Sequence, residues 1–454
     1  MDAPPEASKG ISRFLFREEH QYAPFIGSAL GFALVLGFPL GLILAHSAAQ
    51  GSQLGGRFGP LVQVHGHIQL VGWFGLFVMG MGYRLTSRFT AVKHRFNWIV
   101  PVTLACAVVG LIARVVGQTF ADEGTWLAVL FGASGVLELV AVVLFAAEVA
   151  RALRLGRHDE FGYTRFFAAG VTWLVAAMLL NAYLSIAAAS DSDPLLPVGR
   201  SAIVAFLLLY GFASMFVFAV SVRAFPIFFG RKRANQRSLT AVWTALNAGI
   251  AIYAGTALWG TYEQSDLLRS GQNAGLLLAG AGFLVMIATL GIFKGSPVRL
   301  RESARRHMRF VRSAYAWLTL AAILQIAFAI DAELDGRFVH ALQIDAVRHF
   351  IAVGFLTVIT VGMAFLVMPV LAMRRPGGRA TRIVALVLFG LLHSAAASRG
   401  LGSLIADRGH FDAGFWTMTM SGTLAVVAMA TFAVYIAWNP RHPPEEIPLT
   451  MRSG

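Results

Sequence analysis

Cysteine is nearly missing from this chain. Cys106 is the only one in 454 residues, which excludes intrachain disulfides, iron–sulfur clusters and covalent c-type haem attachment. Charge is scarce too. Only 13% of residues are Asp, Glu, Lys or Arg, well short of the roughly 25% of an ordinary soluble domain. No polar stretch between the apolar runs is long enough for a sizeable soluble domain. The first 22 residues carry Glu6, Lys9, Arg13, Arg17, Glu18 and Glu19 with no apolar core of signal-peptide type, so residues 1–22 read as a short cytoplasmic arm.

What the chain does have is hydrocarbon. Hydrophobic residues make up 57%, and mean hydropathy is +0.67. Runs long enough to cross ~30 Å of bilayer core begin near Pro24, Leu61, Trp98, Thr125, Arg165, Gly199, Ser238, Gly271, Val311, Val347, Thr381 and Asp412. The pattern predicts an all-α, polytopic membrane protein of about twelve transmembrane helices, forming one lipid-embedded domain over the whole chain.

The formal charge of +14 invites a nucleic-acid reading, but its distribution argues for topology. Basic residues gather after every second helix: Arg84, Arg88, Lys93 and Arg95; Arg151, Arg154 and Arg157; Arg231, Lys232, Arg233 and Arg237; Lys294 to Arg312; Arg374, Arg375, Arg379 and Arg382. The loops between are acidic, with Asp122 and Glu123, Asp191 and Asp193, Glu263 and Asp266, Asp331, Glu333 and Asp335, and Asp407 and Asp412. The positive-inside rule then places both termini, including the tail 439–454, in the cytoplasm of a bacterial-type inner (plasma) membrane. No nucleic-acid partner is expected.

Helix ends recur. Gly80-Met-Gly-Tyr-Arg84 closes the second helix, Ser221-Val-Arg223-Ala-Phe-Pro226 the sixth and Gly362-Met-Ala-Phe-Leu366-Val-Met-Pro369 the tenth. Their spacing of about four helices suggests three pseudo-repeats, roughly 23–150, 165–293 and 311–438. Counting back the same distance from Arg84, Arg223 and Leu366 reaches His67, Phe206 and His349. Two of the three repeats thus offer an imidazole at equal depth.

Imidazoles in hydrocarbon are costly unless something binds them. The topology puts His46, His65, His67, His340, His349 and His393 in or just above the outer half of the membrane, while His20, His94, His158, His307 and His442 are cytoplasmic and His410 lies in the last outer loop. His65 and His67 point about 200° apart on one helix, so that helix can serve two sites: His67 with His349 on one haem b, and His65, partnered by His46 or His393, on a second haem or a copper ion. Gly66, Gly72 and Gly75 leave room for a flat ligand, although glycine also serves plain helix contacts. Taken singly, His46, His340 and His393 also fit hydrogen-bonded packing roles. Arg114 and Arg399, near the outer ends of the third and eleventh helices, are candidates for haem propionates, with snorkelling as the alternative. Arg348 and Arg200 are weaker candidates. Glu138, mid-span in the fourth helix, is the proton-relay candidate. Asn181, Asn247 and Gln325 read as interhelical glue.

Twelve helices in three groups of four, with histidines on the second and tenth, resemble the plan of haem–copper oxidase and nitric oxide reductase subunits. The segments Val64-His65-Gly66-His67-Ile68-Gln69 and Arg348-His349-Phe-Ile-Ala-Val-Gly354 more closely resemble the NnrS family of haem- and copper-containing membrane proteins. This resemblance implies a haem-binding protein, with one or two haems b and copper as a candidate second metal, linked to nitric oxide metabolism or stress response. Against the oxidases, neither the sixth nor the seventh helix contains histidine, so their three-histidine copper site cannot be assembled from its usual positions. Two alternatives stand beside the haem reading. One is a quinol-dependent respiratory reductase of haem–copper oxidase type, with Glu138 delivering protons and a non-standard second metal. The other is a twelve-helix secondary transporter, against which the four-helix period and the off-centre histidines both count.

Overall fold

The computed structural model describes residues 22–93, 98–157, 159–263, 265–295, 302–371 and 379–438. Most of the expected cytoplasmic arm, the tail 439–454, His20, His94, His158, His442, Arg95, Arg374 and Arg375 lie outside the described residues. Among the described residues twelve helices are long and apolar enough to cross a membrane. They are α1 (Tyr22–Ala49), α2 (Phe58–Thr90), α3 (Ile99–Thr119), α4 (Thr125–Leu155), α5 (Thr164–Ser190), α6 (Val198–Phe229), α7 (Gln236–Trp259), α8 (Asp266–Leu290), α9 (Arg305–Leu334), α10 (Ala341–Phe365), α11 (Ala380–Asp407) and α12 (Phe411–Ala437). There is no strand among the described residues. Even the shortest, α3 with 21 residues, spans about 32 Å at 1.5 Å per residue, enough for the hydrocarbon core.

Polar starts hold several helices in place. Asp159 accepts from the backbone N–H groups of Phe161, Gly162 and Thr164 at 2.7–2.9 Å, fixing the entry to α5. Asn235 and Ser265 do the same at α7 and α8.

The helices close on themselves. α3 packs against α4, α7 against α8 and α11 against α12; α4 then meets α5, α8 meets α9, and α12 returns to α1. The last helix therefore packs along the second half of the first, and the innermost positions fall to α6 and α10, whose apolar windows are 83% and 72% buried, against 22% for α11 and 28% for α7. Exposed Val109, Ile112, Val129, Ile323, Leu386 and Val434 face outward, as a lipid-facing belt requires.

Among the described residues four helices contain π-helical stretches, where one extra residue per turn widens the helix and frees a carbonyl. That in α1 covers Ala33–Gly37. The others cover Ile68–Gly75 in α2, Leu207–Ala213 in α6 and Phe350–Thr357 in α10, each beginning directly after His67, Phe206 or His349. The fifth residue of each is glycine, and each glycine meets an aromatic side chain of the preceding helix. A Cβ on Gly72 would lie 3.3 Å from Phe32, on Gly211 2.5 Å from Trp173, and on Gly354 2.6 Å from Trp317. Ser214 and Thr357 donate to carbonyls five residues back, at Leu209 and Ala352, both at 2.9 Å. These hydroxyls satisfy groups that the π turns release. The π segments of α2 and α6 touch, as do those of α6 and α10.

Candidate functional site

His65 lies one turn before the π segment of α2 and faces α1. Its Nδ1 is 2.9 Å from the carbonyl oxygen of Gly37, the last residue of the α1 π stretch. The ring occupies space that only glycine leaves open: a Cβ on Gly41 would be 2.6 Å from its Cε1. Its Nε2 has no partner among the described residues. His65 also sits in the electrostatic field of His349, Arg399 and Asp345, so α1, α2, α10 and α11 together form its surroundings.

On α10, His349 is oriented in the same way. Its Nδ1 lies 2.8 Å from the carbonyl oxygen of Asp345 and 3.2 Å from Asp345 Oδ1, again leaving Nε2 without a partner among the described residues. The Asp345 carboxylate is itself held from α11: Arg399 Nη1 pairs with Oδ2 at 2.7 Å, Arg399 Nη2 donates to Oδ1 at 3.1 Å, and Ser403 Oγ donates to Oδ2 at 2.6 Å. Arg399 is thus already bidentate to a carboxylate of the chain, and the expected propionate role meets a guanidinium that is engaged. Asp345 carries the geometry here, and reading the sequence by hydropathy passes over it. The signal that would have found it is its spacing: i, i+4 to His349 on one helix face.

His67 turns the other way, as a two-residue offset demands. Its Nε2 lies 2.6 Å from Glu138 Oε2 on α4, with the pair buried. The nitrogen that would bind iron is therefore occupied, and the expected trans-axial pair of His67 with His349 is not what the structure brings together. His65 is the histidine of α2 that shares surroundings with His349.

Arg114 is 2% exposed, so its side chain does not snorkel out to the surface. Its Nη1 donates to Ser185 Oγ at 2.6 Å and Asn181 Oδ1 at 3.3 Å on α5, and its guanidinium carbon stands 4.8 Å over the Phe131 ring. It interacts through space with Glu138. Arg114 Nε, Glu138 Oε1 and Asn181 Nδ2 are buried without hydrogen-bond partners. A turn further along α3, Gln118 Nε2 donates to Gln63 Oε1 at 2.9 Å and to the Pro194 carbonyl at 3.1 Å. Beyond it Arg57 bonds Asp122, Glu123 and the Thr119 carbonyl. Glu138, the relay candidate, thus faces Arg114, the first of several polar residues spaced along α3 toward the acidic pair Asp122 and Glu123.

The remaining candidates have local partners. The His46 ring packs edge-on against Trp416, with centroids 5.4 Å apart. His340 lies 3.2 Å from Asp407 with half of its side chain exposed. His393 stacks on Phe389 at 4.0 Å and bonds the Phe389 carbonyl at 2.7 Å, its Nε2 buried without a partner. Arg348 donates to the Ala202 carbonyl at 3.3 Å, and Arg200 stands over Tyr262. The glue residues act between helices: Asn247 accepts from Trp173, and Gln325 bonds Tyr210 and the Leu276 carbonyl. At Phe206, the position that corresponds in the sequence count to His67 and His349, aromatic rings gather: Phe206 stacks on Tyr210 at 4.2 Å and meets Tyr253, tilted, at 4.1 Å.

Among the described residues no three His, Cys, Asp or Glu side chains converge as a metal-ligand group. A haem iron asks less, since one or two imidazoles with unengaged Nε2 atoms suffice. His65 and His349 meet that requirement. Comparison with known proteins gives no matching family model and no similar curated protein.

Proposed function

We propose that this chain is a haem-binding integral membrane protein in which His65 and His349 are the iron ligands. One observation carries this reading. Two imidazoles within electrostatic range of one another each have Nδ1 tied to a backbone carbonyl and Nε2 left without a partner. That is the second-shell arrangement of ligating histidines: the Nδ1–H bond selects the tautomer, fixes the ring and raises the basicity of Nε2. Haem held here by His65 and His349 would supply one-electron redox chemistry and a metal centre for a small gas ligand. Asp345 holds His349 in place and neutralises Arg399, so the charge beside the ligand is balanced within the chain. Nitric oxide as that gas, and an NnrS-like role in nitric oxide metabolism, rest on the motif resemblance. The alternation of acidic and basic loops supports a bacterial-type plasma membrane with both termini cytoplasmic. A quinol-dependent reductase with a second metal draws no support from the described residues, where no three-ligand group converges.

The test is the visible spectrum of the purified protein with three single variants. His65→Ala and His349→Ala should each lose or convert the haem b absorption, whereas His67→Ala should keep it. Loss in His67→Ala with retention in His65→Ala would reverse the assignment, and a colourless, iron-free wild type would end the haem reading.

A further inference from the structure

On the face of the basic loops, α8 ends at Gly291, whose left-handed backbone (φ 59°) leads into a tight turn closed by the Lys294 N–H on the Gly291 carbonyl at 3.1 Å. Two arginines from elsewhere in the chain take the carbonyls that this turn presents. Arg231, just past the end of α6, donates through Nη2 to the Ile292 oxygen at 3.1 Å and the Lys294 oxygen at 2.6 Å, and through Nη1 to the Gly295 oxygen at 3.2 Å. Arg312 of α9 reaches the same first two oxygens, with Nε 3.3 Å from that of Ile292 and Nη2 2.9 Å from that of Lys294. Sharing the Lys294 oxygen holds the two Nη2 atoms less than about 6 Å apart.

Like charges this close repel, and their surroundings offset little of it. A helix C-terminus carries about half a negative charge, against two guanidiniums and the neighbouring Lys294 ammonium. Among the described residues no carboxylate pairs with Arg231 or Arg312, and Glu160, which reaches the α6–α7 loop, is taken by Arg233 at 2.8 Å. Burial and the adjacent Arg312 charge both hold the Arg231 guanidinium below its ordinary range. Both side chains are only half-buried, and Arg231 Nε and Arg312 Nη1 make no hydrogen bond among the described residues, so donors are left for an incoming oxygen. The level is that of lipid headgroups, since α6 ends at Phe229 and α8 at Leu290. Apolar side chains stand next in the chain to these groups: Phe293, between the two shared carbonyls, is 53% exposed, and Ile227 and Phe228, on the last turn of α6 before Arg231, are exposed as well. A cationic pair with apolar surface beside it suits a molecule that carries both an anion and hydrocarbon.

We propose that Arg231, Arg312 and the end of α8 form a binding site for the phosphate of an anionic phospholipid, whose acyl chains run beside Phe293. A phosphate offers several acceptor oxygens to two guanidiniums, and its charge offsets the excess that the carbonyls leave. Basic pockets between transmembrane helices on the cytoplasmic side are suited to such headgroups. A zwitterionic lipid brings its own ammonium against the pair, and free phosphate leaves the apolar surface unused. The site stands whether or not haem is bound at His65 and His349.

Native mass spectrometry of the full-length protein in detergent, titrated with phosphatidylglycerol, phosphatidylcholine or inorganic phosphate, tests it. Wild type should hold one phosphatidylglycerol in preference to phosphatidylcholine, and excess inorganic phosphate should not displace it. Arg231→Gln and Arg312→Gln, whose amides can still donate to the carbonyls, should each weaken that lipid about fivefold and together abolish the preference. Arg154→Gln with Arg157→Gln, the same loss of charge at the exposed end of α4, should leave it intact. Equal loss in the two double variants would reduce the effect to general surface charge and overturn the site, as would no preference in wild type or displacement by inorganic phosphate. If the arginine variants fail to fold, Phe293→Ser, which leaves both guanidiniums in place, decides: weaker retention of phosphatidylglycerol supports the site, and unchanged retention overturns it.

Discussion

Asp345 offers the sharpest test of the site's energetics. Its carboxylate takes Arg399 at 2.7 and 3.1 Å and Ser403 at 2.6 Å, so Asp345→Ala removes all three bonds and leaves a guanidinium at membrane depth with no anion. Breaking a fully buried pair from one side costs about 3–5 kcal/mol. Here the two side chains keep 21% and 30% of their exposure, and discounting for that screening leaves about 2–3 kcal/mol. Arg399→Leu in the same chain removes the orphaned charge. The double variant should therefore be no less stable than Asp345→Ala alone, with a coupling energy of at least about 1 kcal/mol, beyond the ~0.5 kcal/mol within which independent sites add. Reversible unfolding of the haem-free protein in mixed micelles measures all four corners of the cycle. Additive losses, or an Asp345→Ala variant within ~0.5 kcal/mol of wild type, would mean that the pair contributes nothing and that His349 is held by its backbone bond alone.

Other outcomes follow from equally local geometry. Gly117→Ala would put a Cβ 2.5 Å from the Phe131 backbone nitrogen; backbone cannot swing aside, so α3 and α4 must part and unfolding should show a loss of about 2–3 kcal/mol. Gly66 has nothing within 4 Å of its would-be Cβ, and Gly66→Ala should leave stability unchanged or raise it by up to about 1 kcal/mol, losing haem only if the macrocycle lies against that face. Gly41→Ala drives a Cβ into the His65 ring at 2.6 Å, so the haem spectrum should change as in His65→Ala; an unaltered spectrum would argue that His65 is not a ligand. Glu138→Gln and Glu138→Leu both remove the anion that faces the buried Arg114, and Leu also strands His67, so both should lose stability, by about 3–5 kcal/mol for Leu; a Glu138→Gln variant as stable as wild type would show that the cluster is not electrostatically coupled.

Composition and charge order were enough to read the class of this protein. Twelve apolar runs predict twelve helices, and each observed span begins within about a turn or two of the predicted start, because a bilayer forces every backbone polar group into helical bonds and the length of the apolar run sets the crossing. The opposed faces of His65 and His67 were legible as well, since 100° of rotation per residue is a property of any helix. Which neighbour each face meets was not. Hydropathy averages over a whole span, whereas a side chain's partner depends on a few tens of degrees of rotation, and the π segments after His67, Phe206 and His349 change that rotation without a sequence mark as plain as proline. Tertiary packing therefore decided that His67 bonds Glu138, that Asp345 joins His349 to Arg399, and that Arg114 lies buried against Phe131. Each pairing joins residues on separate helices or fixes a side chain against one, and only the closing of the ring sets those distances.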